Sequence, residues 1–273
     1  MSDDGLERRK LGAFTIAKDE TYFLEIWVNY YSRSISKQDM FILDHDSSTA
    51  ETKALLEKFR ADGVNIVPIH NDLSYNHYWL CSAVQQFQKF MLHSYEIVLF
   101  SEPDEIIIPR PDLYQMTLAE YILDKLDGTD LKQLRCVGYC LEHQPQSEPA
   151  IDLSRPIMSQ RKTWRYHEHY DKTLISKVAC PWFIGFHFIS EDYYFPTHDR
   201  HLLLIHLHKM DYDLCKAKHK QRVSFKWASD KAGFNADNQN RICDGEEFDH
   251  FFSTDKFTNN QVEEIPAFME GVF

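Results

Sequence analysis

The segment VLFSEPDEIIIP, residues 98–109, carries the strongest fold signal in the chain. An apolar run is followed by three carboxylates and then by three isoleucines. A short apolar run bounded by turn residues is typical of a strand that is buried on both faces. Residues 97–100 are therefore predicted to form a central strand, with Glu102, Asp104 and Glu105 directly beyond its carboxyl end.

Upstream of this segment, short apolar runs alternate with helical patterns. The predicted strands are residues 14–17, 40–43 and 64–69. The predicted helices bury Phe23, Trp27, Tyr30 and Tyr31, then Leu55, Leu56 and Phe59, and then, within residues 78–93, Trp79, Ala83, Val84, Phe87, Phe90 and Met91. Alternation at this spacing predicts the α/β class, with a mainly parallel central sheet flanked by helices.

The second half of the sequence is less regular. Residues 202–205 are predicted to form a further strand, and the basic residues 212–222 a helix with a solvated face. No internal repeat or low-complexity linker interrupts the chain, so residues 1–273 are expected to form a single domain.

Composition restricts the function. A formal net charge of −12 argues against nucleic acid as a partner. It allows a nucleotide, because a divalent cation and a few basic side chains neutralise a diphosphate. The sequence lacks an apolar run long enough to span a membrane and an apolar signal region, which predicts a cytoplasmic protein.

The six cysteines form no CxxC pair and are expected to be reduced thiols, several in the core. Cys136 and Cys140 match half of a zinc site, but no second pair accompanies them.

Acidic side chains follow the first, second and fourth predicted strands. They are Asp19 and Glu20, Asp44 and Asp46, and Glu102, Asp104 and Glu105. Parallel strands end at one edge of a sheet, where α/β proteins bind their ligands. Polar loops are common, so one such cluster would mean little, whereas three on one edge favour a binding site.

Two patterns favour a metal at this edge. Glu102 and Asp104, one residue apart, could bind Mn²⁺ or Mg²⁺, which bridges to phosphate oxygens and acts as a Lewis acid. His206 and His208 alternate beyond a strand, so they point to one side and could complete the ligand set or contact a diphosphate. The ordinary alternatives are an acidic turn and histidines that make structural hydrogen bonds.

Basic side chains among aromatic ones offer a second way to hold phosphate. Arg161 and Lys172 lie near Trp164, Trp182 and a Gly-Phe-His string that ends at His187. Such groups could stack on a base and bind phosphate, or form a packed surface. The sequence has no P-loop and no GxGxxG motif, so a metal and side chains would have to hold the phosphates.

Taken in order, these strings resemble bacterial family 2 type glycosyltransferases of the GT-A fold. The resemblance covers residues 17–20, 24–31, 41–47, 102–105, 154–161, 171–172, 185–187 and 206–213. The string Glu102-Pro-Asp-Glu105 stands where the family carries its D-x-D metal motif. Glu102 replaces the first Asp, so metal binding is expected mainly through Asp104.

The resemblance implies metal-dependent transfer of a sugar from a UDP-, GDP- or dTDP-sugar to a saccharide, a lipid-linked or another hydroxyl acceptor, in surface polysaccharide or glycolipid synthesis. Residues 1–110 would form the nucleotide-sugar and metal half, and residues 111–273 the acceptor half. The expected nucleotide site comprises Asp19, Glu20, Asp44, Asp46, Lys172 and Arg161. The expected metal ligands are Asp104, Glu102, His206 and His208. His187, Glu142 and Glu191 are the candidates for the base that inversion requires.

Two other functions stay open. Asp104, His206, His208 and Asp211 could form a metal-dependent phosphohydrolase with two metals. Replacement of Asp by Glu102 would also suit a non-catalytic module that binds a nucleotide or a sugar. The sequence does not identify the donor, the acceptor or the stereochemical course of the transfer. It also leaves open whether residues 209–222 contact the inner face of the membrane and whether the aromatic C-terminus forms a homo-oligomer.

Overall fold

A computed structural model of the chain describes residues 7–71, 76–187, 189, 198–225, 242–254 and 258–273. Within these residues the strands are β1 (Arg9–Ala17), β2 (Met40–Asp44), β3 (Asn65–Pro68), β4 (Tyr95–Phe100), β5 (Glu105–Pro109), β6 (Gln133–Glu142), β7 (Thr163–Tyr166), β8 (Thr173–Ser176), β9 (His198–His206) and β10 (Glu263–Glu264). The α-helices are α1 (Tyr22–Tyr31), α2 (Ala50–Ala61), α3 (His77–Met91), α4 (Leu118–Leu126), α5 (Tyr212–Ser224) and α6 (Gly245–Ser253).

The first four strands form a parallel unit in the order β3, β2, β1, β4. Helices α1, α2 and α3 connect successive strands of this unit, and each buries one face. The apolar residues of β1, β2 and β4 are almost all inaccessible to solvent, as expected for strands covered on both faces. The predicted α/β class with a central, mostly parallel sheet flanked by helices is confirmed.

The second half extends the same sheet with antiparallel strands. Strand β8 joins β4 to β6, and β7 and β10 continue beyond β6. Strand β9 lies between β5 and β6, antiparallel to the first and parallel to the second. Its register places His206 opposite Glu105, and the N–H of Leu207 donates to the carbonyl of Asp104 over 2.8 Å. The distant segment 206–208 is thereby fixed beside the acidic turn that follows β4.

Side-chain caps determine where several helices begin. The Thr49 hydroxyl accepts from the N–H of Thr52 at the start of α2, and Thr117 forms a capping box with Glu120 on α4. The Asp211 carboxylate accepts from the N–H groups of Asp213 and Leu214 at the start of α5. These caps fix the entry of each helix into the packed core.

One predicted core position is wrong. The Phe90 side chain on α3 is 63% exposed, although it was expected to face inward. The buried stripe of α3 contains Leu80, Val84, Gln88 and Met91. Phe90 directly precedes Met91 and so lies about 100° away from this stripe around the helix.

The solvated face predicted for the basic helix is also wrong in part. Lys218 and His219 on α5 are buried: Lys218 pairs with Glu20 and Asp104, and His219 contacts His208. The expectation of core thiols is confirmed, since five of the six cysteines are buried and Cys243 is partly accessible. Among the described residues, no helix has the length and apolar character needed to cross a membrane.

Candidate functional site

A cleft of about 470 Å³, including its opening to solvent, lies at the carboxyl ends of β1 and β4. Both acidic and basic side chains line it. The lining residues are Ile16, Ala17, Lys18, Glu20, His45, Leu80, Glu102, Pro103, Asp104, Lys218, Arg222 and Phe225. This edge of an α/β sheet is the usual ligand site.

Asp104 is the buried carboxylate at the base of this cleft. It lies in the turn between β4 and β5, and its Oδ2 accepts a hydrogen bond of 2.9 Å from Lys218 Nζ. The same oxygen lies 3.5 Å from His208 Nδ1 and 3.7 Å from His206 Nε2. Burial alone would raise the pKa of Asp104, but the Lys218 ammonium outweighs burial and holds this pKa well below its ordinary value. Asp104 is therefore ionised in the folded protein.

Lys218 joins this carboxylate to a second one. Its Nζ lies 3.0 Å from Glu20 Oε1, on the loop that follows β1. Burial lowers the pKa of Lys218, but Asp104 and Glu20 outweigh burial and raise it, so the ammonium is retained. The pKa of Glu20 is raised by burial, which Lys218 only partly offsets. Arg222, one helical turn beyond Lys218, also lines the cleft.

The two predicted histidines meet Asp104 as expected from their alternation. The rings of His206 and His208 are parallel, with centroids 5.7 Å apart. Burial lowers the pKa of His206 to about 3 and that of His208 well below its usual value, so both rings are neutral at physiological pH. Ligand atoms of Asp104, His206 and His208 lie within 4.8 Å of one another. A carboxylate oxygen and two imidazole nitrogens in this arrangement could hold a divalent cation.

Glu102, the other carboxylate of the predicted metal motif, belongs to a separate ion cluster. Lys172 Nζ donates to Glu102 Oε2 over 2.8 Å and lies 2.5 Å from Glu105 Oε1. Lys172 and Glu105 are inaccessible to solvent, whereas Glu102 also lines the cleft. Burial raises the pKa of Glu105 to about 7, and the two carboxylates raise the pKa of Lys172 against the effect of its own burial.

Three of the four carboxylates predicted to bind the nucleotide accept hydrogen bonds from backbone N–H groups of the segments that follow β2 and β3. Asp19 accepts from the N–H groups of Ser48 and Thr49 at 2.6 and 2.9 Å. The carboxylate of Asp44 accepts from the N–H of Ser47, and that of Asp46 from the N–H of Asn71. Asp19 and Asp46 have φ angles of 52° and 53°, in the left-handed region that Asp tolerates better than most residues. Among these four carboxylates, Glu20 alone lines the cleft.

Arg161 and Asp211 lie together outside the cleft lining. Arg161 donates from Nε to the carbonyl of Met210 and from Nη2 to Asp211 Oδ2, over 2.5 and 3.3 Å. Asp211 also accepts from the N–H of Ile151. The Asp211 carboxylate is therefore committed to α5 and its surroundings, and it does not join the Asp104 group.

The candidate bases occupy different places. Glu142 on β6 accepts two hydrogen bonds from Arg165, at 2.8 and 3.2 Å. His187 donates from Nδ1 to the carbonyl of His169 over 2.5 Å. The ring of Tyr170 lies between His187 and His206, with centroid distances of 5.8 and 4.1 Å. Glu191 lies outside the described residues.

Two further features of the cleft were missed from the sequence. Lys218 and Arg222 were hidden in a basic stretch, and only their spacing of four residues places them on one helix face. His45 stacks on Trp79, with centroids 4.9 Å apart and planes 22° from parallel. His45 lines the cleft, so this stack borders the space available to a ligand.

No protein-family model matches the chain, and no curated protein matches it either. Parts of several solved transferase structures align with it. Glucosyl-3-phosphoglycerate synthase from Mycobacterium tuberculosis, in complex with Mn²⁺, UDP and glucosyl-3-phosphoglycerate, has 15% identity and a TM-score of 0.33, over 48% of this chain and 44% of that one. A cytidylyltransferase from Leptospira borgpetersenii has 13% identity and a TM-score of 0.31, over 47% and 54%. TarS from S. aureus has 13% identity and a TM-score of 0.30, over 56% and 40%.

The chain thus spans about half the length of these structures, or less. At this degree of similarity, the chemistry of the cleft has to be argued from its own residues.

Proposed function

We propose that this protein is a glycosyltransferase that binds a nucleoside diphosphate sugar in the cleft and transfers the sugar to a hydroxyl acceptor. The observation that carries the proposal is the buried, ionised Asp104 at the carboxyl edge of the sheet, within 4 Å of Lys218, His206 and His208. A divalent cation held by Asp104 and the two histidines, together with the Lys218 ammonium, can balance the negative charge of a diphosphate. The sequence resemblance to GT-A glycosyltransferases supports the same conclusion.

Asp104, His206 and His208 would hold the divalent cation, Mn²⁺ or Mg²⁺, and Glu102, which also lines the cleft, would add negative charge near them. The cation would stabilise the negative charge that develops on the departing diphosphate. Lys218 and Arg222 would contact phosphate oxygens directly, since both border the cleft and carry positive charge. Glu20 would keep Lys218 oriented when phosphate competes for its ammonium.

The nucleoside would lie toward the loop after β2. There the flat His45–Trp79 stack offers a surface beside the cleft for the base. Asp19, Asp44 and Asp46 would contribute by holding this loop in shape, with Asp44 the candidate to accept from the ribose or base. Lys172 and Arg161 would act at a distance from the donor, by fixing Glu102 and the start of α5.

For the base we favour His187 over Glu142. Burial and Lys172 keep the pKa of His187 well below its usual value, so the ring is neutral, but the same low pKa makes it a weak base. Its Nδ1 is held by the His169 carbonyl, which makes Nε2 the basic nitrogen. Glu142 accepts hydrogen bonds from Arg165 and lies on β6, which β9 separates from β5, the strand that follows Asp104. An acceptor on a saccharide or a lipid, and work at the cytoplasmic face of a membrane in polysaccharide or glycolipid synthesis, rest on the sequence resemblance alone.

The test is calorimetric titration of UDP, GDP and dTDP, with and without Mn²⁺, on the wild type, on Asp104→Asn and on Asp112→Asn. Asp112 is an exposed carboxylate on the loop after β5, so it serves as the matched control. We expect one nucleotide to bind in a Mn²⁺-dependent manner, with binding lost in Asp104→Asn and kept in Asp112→Asn.

The same preparations would then be assayed for sugar release from the matching nucleotide sugar and for cleavage of a model phosphodiester. Sugar release that depends on Asp104 supports the transferase. Phosphodiester cleavage without nucleotide binding would replace it with a phosphohydrolase. Binding of a nucleotide with no turnover of its sugar would leave a non-catalytic binding module.

A further inference from the structure

A second group of buried metal-ligating side chains lies behind Asp104. His208 Nε2 is 2.8 Å from His219 Nε2, and Cys215 Sγ is 3.8 Å from the same nitrogen. All three side chains are buried, and their ligand atoms lie within 4.8 Å of one another. This group uses Nε2 of His208, whereas Nδ1 of the same ring faces Asp104.

The local structure brings these donors together without distortion. Cys215 and His219 are four residues apart on α5 and therefore lie on the same helix face. His208 follows β9, whose pairing with β5 and β6 fixes its place. Phe248 and Phe251 of α6 pack against the His219 ring, with centroid distances of 5.4 and 4.7 Å. An apolar wall of this kind limits the access of water to the group.

The hydrogen bonds of His219 determine its tautomer. Its Nδ1 lies 2.7 Å from the carbonyl oxygen of Ile242, and a carbonyl oxygen can only accept. The proton of the neutral ring is therefore on Nδ1, and Nε2 presents a lone pair toward His208 and Cys215.

Neither neutral tautomer of His208 satisfies both of its neighbours. If Nε2 carries the proton and donates to His219, the lone pair of Nδ1 faces the Asp104 carboxylate at 3.5 Å. If Nδ1 carries the proton and faces Asp104, the two Nε2 lone pairs oppose each other at 2.8 Å. Each neutral arrangement leaves one repulsive contact between buried groups, which is unfavourable in a medium of low dielectric constant, and a protonated His208 ring would satisfy both neighbours only at the cost of burying its charge.

A cation bound by the two Nε2 atoms and Cys215 Sγ removes this conflict. Both Nδ1–H groups then point at oxygen acceptors, the Asp104 carboxylate for His208 and the Ile242 carbonyl for His219. This outer hydrogen bonding is the usual pattern of metal-binding histidines. Two imidazoles and a thiolate are typical zinc ligands, and three protein ligands leave the fourth position to water. We propose that His208, Cys215 and His219 form a zinc site.

The zinc site fixes α5 to the end of β9. Because α5 also carries Lys218 and Arg222, the site holds the two basic side chains of the cleft in position. Zinc on Nε2 of His208, with Nδ1–H donating to Asp104, removes His208 from the ligand set proposed above for the donor cation, which Asp104 and His206 would then hold. The inference does not depend on the proposed function, since it concerns the metal content of the chain without any nucleotide.

The experiment measures metal in the tag-free full chain, purified without chelators and dialysed before elemental analysis. We expect about one zinc per chain, and a cobalt-exchanged protein with a thiolate-to-cobalt charge-transfer band. In Cys215→Ala the band should disappear and zinc affinity should fall at least tenfold. Cys136→Ala removes an equally buried thiol from β6 and should leave both unchanged. Stripping zinc should lower the melting temperature of the wild type and leave that of Cys215→Ala unaffected.

His206→Ala separates the two metal groups, because His206 is a ligand of the Asp104 group alone. Retention of zinc in this variant supports the assignment, and its loss would assign the metal to Asp104 instead. A wild-type cobalt protein without a thiolate band would overturn the proposal, and this result needs no variant to fold. Zinc affinity unchanged in Cys215→Ala would overturn it as well.

Discussion

Two buried lysines each bridge a pair of carboxylates, and they differ in their access to the cleft. Lys172 joins Glu102 and Glu105, with Lys172 and Glu105 shut away from solvent. Lys218 joins Glu20 and Asp104 at the cleft wall. Both ammonium groups come from the second half of the chain, and all four carboxylates come from the first half.

The difference separates an ion cluster that holds the fold from one that can meet a ligand. Lys172 does not line the cleft, so its positive charge serves to neutralise the two carboxylates, Glu102 and Glu105, in the folded protein. Lys218 lies beside Arg222 on the lining, and the charge of Asp104 is shared with two imidazoles. A phosphate could therefore displace part of the Lys218 interaction without leaving Asp104 unpaired. Three substitutions test this comparison.

Lys172→Met should have the largest effect. It leaves the buried Glu105 without its cation, and above pH 7, where this carboxyl is ionised, breaking a buried pair from one side typically lowers the free energy of unfolding by about 3–5 kcal/mol. Urea denaturation measures the change. The double variant Lys172→Met, Glu105→Gln should regain part of the loss, because the uncompensated carboxylate is gone. Equal destabilisation in the single and double variants would mean that packing, and not charge, explains the effect.

Glu105→Gln should change how stability depends on pH. The folded-state pKa of Glu105 is about 7, above the ordinary value of 4.5, so the folded protein holds this proton more tightly than the unfolded chain. The contribution of Glu105 to the free energy of unfolding of the wild type therefore falls as pH rises from 4.5 to about 7. Glutamine does not titrate, so the stability of the variant relative to wild type should rise across this window, by up to about 3 kcal/mol.

The measurement is a pair of urea titrations on each protein, one at either end of the window. Asp112→Asn, on an exposed carboxylate, supplies the background trend. A relative stability that stays flat or falls slightly with pH would show that Lys172 keeps Glu105 ionised in the folded protein throughout the window.

Lys218→Met should mainly weaken binding. Loss of a charge-assisted hydrogen bond to phosphate costs about 1.5–3 kcal/mol, or about 10- to 100-fold in the affinity for the nucleotide diphosphate, measured by calorimetry. Lys218→Arg should keep more of this affinity because the charge remains. Lys220→Met, an exposed position on the same helix, is the control. If Lys218→Met unfolds as readily as Lys172→Met and binds normally when folded, the two clusters have the same structural role.

The first half of the fold could be predicted because its signals are local. Strand β2, predicted as residues 40–43, is Met40–Asp44, and the helix predicted as residues 78–93 is His77–Met91. Strands β6, β7 and β8 were not predicted, because their alternation is mixed and their pairing partners lie far along the chain. The position of β9 between β5 and β6 depends on such distant pairing.

The residue types at the carboxyl edge of the sheet can be predicted from local sequence patterns. A buried apolar strand followed by carboxylates places Asp104 there, and alternation directs His206 and His208 to one side. Which of the charged side chains contact one another depends on the packing of the whole chain. The burial of Lys218, and the use of Asp19, Asp44 and Asp46 to bind backbone N–H groups, follow from contacts between distant segments. Hydrophobic period and turn chemistry are encoded within a few residues, whereas the partner of a buried charge depends on how the whole chain packs.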